Sequence, residues 1–332
     1  MRRLLRVCVV LATLWCVWWG VASYALHSAV VSWFDARRAE GWQADMDGPQ
    51  PGGFPLNLRT RIADLALADP DTGVAFRAPQ ITFTASALWP GNITLRLPDT
   101  PMTFATPEGA ADLTMQDSVM TLDLRRERAL GLDRLQWAAQ SWQLDGPEGS
   151  LIGAKGLSLA AIRTTGATYD ITASAPAFAP GAVPRRTLRL PDEWPLTFDQ
   201  LALEATVTFD RPWDIRALED RRPQPRWIAL HLAEAAWGDL RLRLAADLEV
   251  DAAGIPAGTV SIQADNWPIM LDLAEAANLL PGGMRSQAEE VLRRFATLSG
   301  NPDALDVQLN LAGGFISLGF LPVAPAPRLI LR

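Results

Sequence analysis

From Phe54 onward apolar and polar positions alternate with a period of two, which predicts strands with one dry and one wet face. In the stretch 52–70, Leu56, Leu58 and Ile62 alternate with Asn57, Arg59 and Arg61. Leu65 and Leu67 then carry the apolar positions on the other parity, so a bulge or turn is expected near Asp64. The same alternation returns at Ile93/Leu95/Leu97, Met120/Leu122/Leu124, Leu201/Leu203/Ala205/Val207, Leu240/Leu242/Leu244 and Ile316/Leu318/Phe320. Short runs separated by Gly, Pro, Asp and Asn turns predict hairpins and meanders, roughly sixteen strands in all. Pro-Glu-Gly occurs both at 107–109 and at 147–149, which suggests a repeated hairpin turn.

Two segments break the two-residue period. From Val7 to Phe34 there are 28 residues without a formal charge, against the ~20 that a membrane-spanning helix needs. Arg2, Arg3 and Arg6 favour the cytoplasmic side, so the remaining chain is expected on the outer side, with Trp15, Trp18, Trp19 and Tyr24 toward the far interface. Cleavage after Ala25 is the competing reading, but the apolar run is longer than a signal h-region and rich in Trp. Residues 35–46 are expected to continue the helix in amphipathic form until the 47–53 stretch stops it. Late in the chain, helices are expected at 268–280 and 284–298, parted by Pro281-Gly282-Gly283. The second has Val291, Leu292, Phe295 and Leu298 as its apolar stripe and Gly300 as terminator, and a shorter helix is expected in the 209–225 connection.

The domain plan follows. An anchor occupies 1–34, a juxtamembrane helix and linker 35–51, a first β half 52–175 and a second β half 196–332. Between the halves, 176–195 holds five prolines in twenty residues and reads as a linker or crossover. The fold class expected is mainly β: a large curved antiparallel sheet, groove or sandwich, with an N-terminal transmembrane helix and two late helices packed on it.

At 332 residues, 49% hydrophobic and 20% charged, the chain has ample material for a core. Net charge is −7, and −10 without the three N-terminal arginines, which excludes nucleic acid as the main partner. Lys155 is the only lysine. Cys8 and Cys16 would lie ~12 Å apart on one helix, too far for a disulfide.

Little in the sequence carries chemistry. His231 is the only histidine clear of the anchor; it shares a face with Ala229 and Ala233 and reads as solvated and structural. One histidine without a cysteine builds no ordinary zinc site, and no nucleophile elbow, P-loop or dinucleotide fingerprint is present. Asp69–Gly73 has two acids before a glycine but lacks the remaining ligands of a calcium loop, so it reads as a turn. Asp192/Glu193 and Glu289/Glu290 are sequence neighbours and point to different sides. Of thirteen tryptophans nine lie beyond Trp33, and Trp137, Trp142, Trp227 and Trp237 read as core or sheet-edge fillers. No catalytic, cofactor-binding or metal residue is assigned, no cofactor is expected, and the chain reads as a non-enzyme.

The stretch 51–99, with its Gly-Phe-Pro start and the Phe76-Arg77-Ala78-Pro79 run, and the C-terminal stretch 305–329 with its glycine-turned hairpin, resemble the bacterial domain of unknown function 2125. Phe320 stands where that family's pattern places Gly-Pro after Leu318-Gly319. The resemblance implies architecture and a membrane-anchored location, and no active residues. Residues 237–280 are also similar to AsmA-type envelope proteins, a likeness that implies a β-groove at the inner membrane and lipid handling. Two roles are expected on these grounds: a periplasmic protein whose dry strand faces form an apolar groove for phospholipid, or a structural module of the envelope that binds a protein partner.

Overall fold

The computed structural model describes residues 1–219, 221–278, 283–298, 303–319 and 321–331. It opens with α1 (Arg2–Ala39), a 38-residue helix apolar enough to cross a membrane. The helix does not continue to Met46 as expected. The N–H groups of Glu40, Gly41 and Trp42 close onto Ala36, Arg38 and Arg37 carbonyls, and Gly41 takes a φ of +92°, so the helix ends and the chain turns. The residues after it are extended instead, as β1 (Gln43–Asp45) and β2 (Gln50–Gly52), both paired antiparallel to β3 (Asn57–Asp69).

A hairpin leads from β3 to β4 (Val74–Ser86). After it the chain makes five long excursions, each broken in two. They are β5 (Asn92–Arg96) with β6 (Met102–Thr106), β7 (Gly109–Gln116) with β8 (Val119–Leu124), and β9 (Leu132–Ala139) with β10 (Ser141–Gly146). Next come β11 (Gly149–Ala154) with β12 (Leu157–Arg163), and β13 (Thr168–Ser174) with β14 (Ala179–Pro180). The breaks align. β5, β8, β9, β12 and β13 pair in succession as one leaf, and β6, β7, β10, β11 and β14 as a second, both leaves starting on β4. The sheet is therefore creased, in the way strands turn corners between packed sheets.

The crease explains the parity change near Asp64. Asp64 has a φ of +48°, while pairing steps from Ala63–Gln80 to Leu65–Ala78 across it. Pro79 sits on the partner strand at that step and brings no N–H that would go unpaired. Asp117, on the same line between β7 and β8, also has a positive φ, +50°. Hydrogen bonds bridge the break: Leu97 N–H to Ser118 O, Gln140 N–H to Gln116 O and Lys155 N–H to Pro176 O. The main core lies inside the angle, where Ile62, Leu65, Ala78, Ile81, Met102 and Met115 are buried with Phe34 of α1.

Beyond β14 comes a short helix, α2 (Ala182–Thr187), and the chain then returns as β15 (Gln200–Phe209) beside β13. The proline-rich segment thus leaves and re-enters one continuous sheet. The first leaf goes on through α3 (Arg216–Glu219), β16 (Pro225–Trp237), β17 (Leu240–Val250) and β18 (Pro256–Asp265). Two helices, α4 (Trp267–Ala276) and α5 (Arg285–Leu298), precede β19 (Ala304–Ala312), β20 (Phe315–Leu318) and β21 (Leu321–Pro325). Of the expected α5 stripe, Leu292 packs inward but Val291 is 51% exposed. The side chains of Phe295 and Leu298, together with Pro281, Gly282, Gly300 and Phe320, lie outside the described residues.

The described residues form 21 strand segments rather than sixteen, chiefly because the crease divides strands that read as single runs. Pro107-Glu108 and Pro147-Glu148 are the two-residue turns of the β6–β7 and β10–β11 hairpins, so the sequence echo marks a repeated turn. The sheet stays open. Accessible surface is 19880 Å² for 36.1 kDa, against about 13,400 Å² for a compact monomer of that mass.

Candidate functional site

The strand register lines up the dry positions into rows running across the sheet. One row starts Thr60–Phe83–Leu95–Met120–Trp137–Leu159, following direct pairings from β3 to β12. It continues Ala173–Leu203–Ala233–Leu244–Ile262–Val307 from β13 to β19. A second runs beside it as Leu58–Ala85–Ile93–Leu122–Leu135–Ala161 and then Ile171–Ala205–Leu230–Ala246–Val260–Leu309. Twelve strands at ~4.8 Å give an apolar trough of roughly 55 Å. A bulge in β16, where pairing shifts between Leu230 and Ala233, keeps both residues on this face.

The trough is covered at its ends. At the first end α1 lies along β3: Trp15 Nε1 donates to Pro55 O at 3.0 Å, Trp18 Nε1 to Ala87 O at 3.1 Å and Trp19 Nε1 to Asn57 O at 2.8 Å. Phe34, further along the helix, is buried in the core. Between these contacts an apolar cleft of about 560 Å³ remains, walled by Trp18, Ala22 and Leu26 on the helix and by Leu58, Phe83 and Ile93 on the sheet. At the far end α4 and α5 pack Trp267, Leu271 and Leu292 over Leu242, Ala264 and Leu305, and among the described residues no helix covers the middle of the trough. There a second hollow, about 310 Å³, is lined by Leu157, Ala173, Leu201, Leu203, Ala235 and Leu244. Leu159, Leu203, Leu244, Ile262 and Val307 are all only partly buried. Phe178, Phe198, Trp194 and Trp237 form one continuous aromatic cluster that pins the returning 175–199 segment beside the trough.

Residues 19–327 match the family described as an uncharacterized protein conserved in bacteria, DUF2125. The chain belongs to this family. The span matched by DUF2125 takes in the docked part of α1 from Trp19 on, the creased sheet and both late helices. No curated protein matches the chain, so the AsmA-type resemblance gains no support from that side.

In this DUF2125 chain the polar residues singled out in the sequence lie apart from the trough. His231 is exposed and shares a face with Ala229 but not, as expected, with Ala233, which the β16 bulge turns to the trough; its Nε2 is 2.9 Å from Thr206 Oγ1. Thr206 donates its own proton to Asp170 at 2.7 Å, so His231 Nε2 carries the hydrogen of their bond. That is the reverse of a base activating a hydroxyl nucleophile. Asp69–Gly73 forms the β3–β4 turn, with Asp69 accepting from Asp71 N–H and Thr72 Oγ1. Glu289 and Glu290 pair with arginines of their own helix, Glu289 with Arg285 and Arg293, Glu290 with Arg294. Among the described residues no group of three His, Cys, Asp or Glu side chains is placed to hold a metal ion. Trp137 packs against the crease core and donates to Ser118 Oγ, and Trp142, Trp227 and Trp237 donate to Gly156 O, Asp247 and Pro195 O.

Tyr169 and Asp210, two ionisable groups at the 210–224 connection, are perturbed. Burial pushes the Tyr169 phenol up, outweighing the hydrogen bond it accepts from Trp213 N–H. Asp210 is held below the ordinary carboxylate range: burial opposes this, but Gln224 N–H, Arg221 and Arg226 prevail. Both groups tie the 210–224 connection to the sheet.

The docking of α1 and the crease were not expected from sequence. A helix apolar on every side conceals which stripe meets protein. The available signal was the spacing Trp18, Ala22, Leu26, Val30, Phe34, which is one helix face.

Proposed function

We propose that this is a non-enzymatic lipid-binding protein of the bacterial envelope, tethered to the inner membrane by α1 with its β body in the periplasm. The carrying observation is the stretch of the trough over β12–β17, where leucine side chains stay partly exposed and, among the described residues, lie beneath no helix. Core apolar positions of that size are ordinarily closed, and a long exposed apolar strip marks a surface with a partner. The trough begins at the cleft beside the anchor, so an acyl chain entering there has a continuous apolar path outward. Arg2, Arg3 and Arg6 orient the tether with its N-terminus in the cytoplasm.

The test is native mass spectrometry of the full chain released from detergent. Near-stoichiometric phospholipid that is lost in Leu203→Asp/Leu244→Asp supports the reading. A lipid-free, folded chain defeats it. The exposed apolar residues Phe315, Leu321 and Val323 on the last hairpin favour a second reading, a structural module that binds a protein partner along that edge.

A further inference from the structure

We propose that the two loops at the membrane-side end of the sheet, 53–57 and 87–91, form a wedge that inserts into the phospholipid leaflet through which α1 leaves the bilayer. This rests on reading α1 as a membrane span, and goes beyond that reading by assigning a lipid contact to the β body itself.

Position is the first argument. The carbonyls of Pro55, Asn57 and Ala87 accept the indole N–H groups of Trp15, Trp19 and Trp18, so the loops stand beside that turn of the helix. Trp15 and Trp19 are nine and thirteen residues beyond Arg6, or ~14 and ~20 Å along the axis. The hydrocarbon layer is about 30 Å thick. With Arg6 at the cytoplasmic boundary, the Trp19 contact falls within the far leaflet and the Trp15 contact at about the midplane, so the loops stand between the midplane and the far interface.

Composition and exposure are the second. Phe54 is 55%, Leu56 65% and Leu88 76% exposed, a cost in water that immersion removes. No charged residue occurs between Gly52 and Leu58 or between Ala78 and Leu95. The loops also satisfy much of their own backbone: Ala87 N–H bonds to Leu56 O and Asn57 N–H to Gly53 O, while Pro55 and Pro90 have no N–H. A low-dielectric leaflet requires such pairing.

Charge sets the depth. The neighbouring 125–128 turn exposes Arg125, Arg126 and Arg128, and Arg126 lies over the Trp89 ring at 5.2 Å. In a body of net charge −10 beyond the N-terminal arginines, this basic turn at the rim of an uncharged wedge matches anionic headgroups. Arg59, two residues past Asn57, limits how far the sheet can sink.

The test uses the full chain with Cys8→Ala and Cys16→Ala, carrying one of Val10→Cys, Leu56→Cys, Leu88→Cys or Val323→Cys. Each is labelled with an environment-sensitive fluorophore and reconstituted into nanodiscs containing spin-labelled phospholipid, with and without phosphatidylglycerol. Insertion gives quenching at 10, 56 and 88 but none at 323, and Arg126→Glu weakens quenching at 88 only in the anionic discs. Quenching at 10 with 56 and 88 behaving like 323 overturns the wedge while the span stands. Blue-shifted emission at 56 and 88 that spin-labelled lipid leaves intact, the signature of contact with a second copy, overturns it also. Absence of quenching at 10 removes the span and the wedge together.

Discussion

The indole N–H of Trp19 points at the backbone carbonyl of Asn57, 2.8 Å away, and joins α1 to the first residue of β3. The Trp19 ring also meets Phe54 edge-on at 5.4 Å between centroids. A helix that served only as a tether would need no such contact. Trp19→Phe keeps the ring and loses the donor, and should cost about 1 kcal/mol. Hydrogen exchange of the amides at 57–60 should accelerate in this variant, and more in one that also carries Trp15→Phe and Trp18→Phe.

Asp64 holds the crease with a φ of +48°. Asp64→Gly should be tolerated, since glycine adopts this conformation freely. Asp64→Val should lose about 1–3 kcal/mol, because a β-branched residue resists it. Thermal unfolding of the detergent-solubilised chain compares the two.

The trough and the crease core should respond differently to charge. Ile62 is 3% exposed and sits inside the crease. Ile62→Asp should destabilise by more than about 4 kcal/mol, since a carboxylate there is buried and unpaired. Leu203→Asp, on the uncovered stretch, should cost no more than about 1–2 kcal/mol. Equal losses at the two positions would mean that the trough is closed.

Asp210 gives a pH dependence. Its carboxyl is held below the ordinary value, so it contributes stability above the unfolded-state pKa that is lost as pH falls through the folded-state pKa. Asp210→Asn should therefore lower the melting temperature at neutral pH and flatten its decline at acid pH. The loss at neutral pH should be about 1–2 kcal/mol, from weakened bonds to Gln224 N–H and Arg221.

Much of this architecture could be read from the chain. The two-residue period located the strands, the parity change placed the break at Asp64, and the 3.6-residue period located α4 and α5. What stayed hidden depends on contacts between distant residues. Asp117 and Gln140 carry no sequence signal of a shared break, and only the pairing of neighbouring strands shows that their breaks lie on one line. The helix end at Ala39 was missed because residues 35–46 keep a helical pattern, and the Gly41 turn outweighs it. An apolar strand face is the same in sequence whether it meets a helix, a lipid or water. That is why the trough emerged only once α4 and α5 were seen to cover one end.

Photocrosslinking in living cells addresses the open trough most directly. Benzoylphenylalanine replaces Leu203, on the apolar face, or Glu204, its neighbour on the wet face. Irradiation should attach phospholipid at 203 and none at 204. Adducts at 203 that contain only protein, or lipid at both positions alike, would contradict an acyl-binding trough.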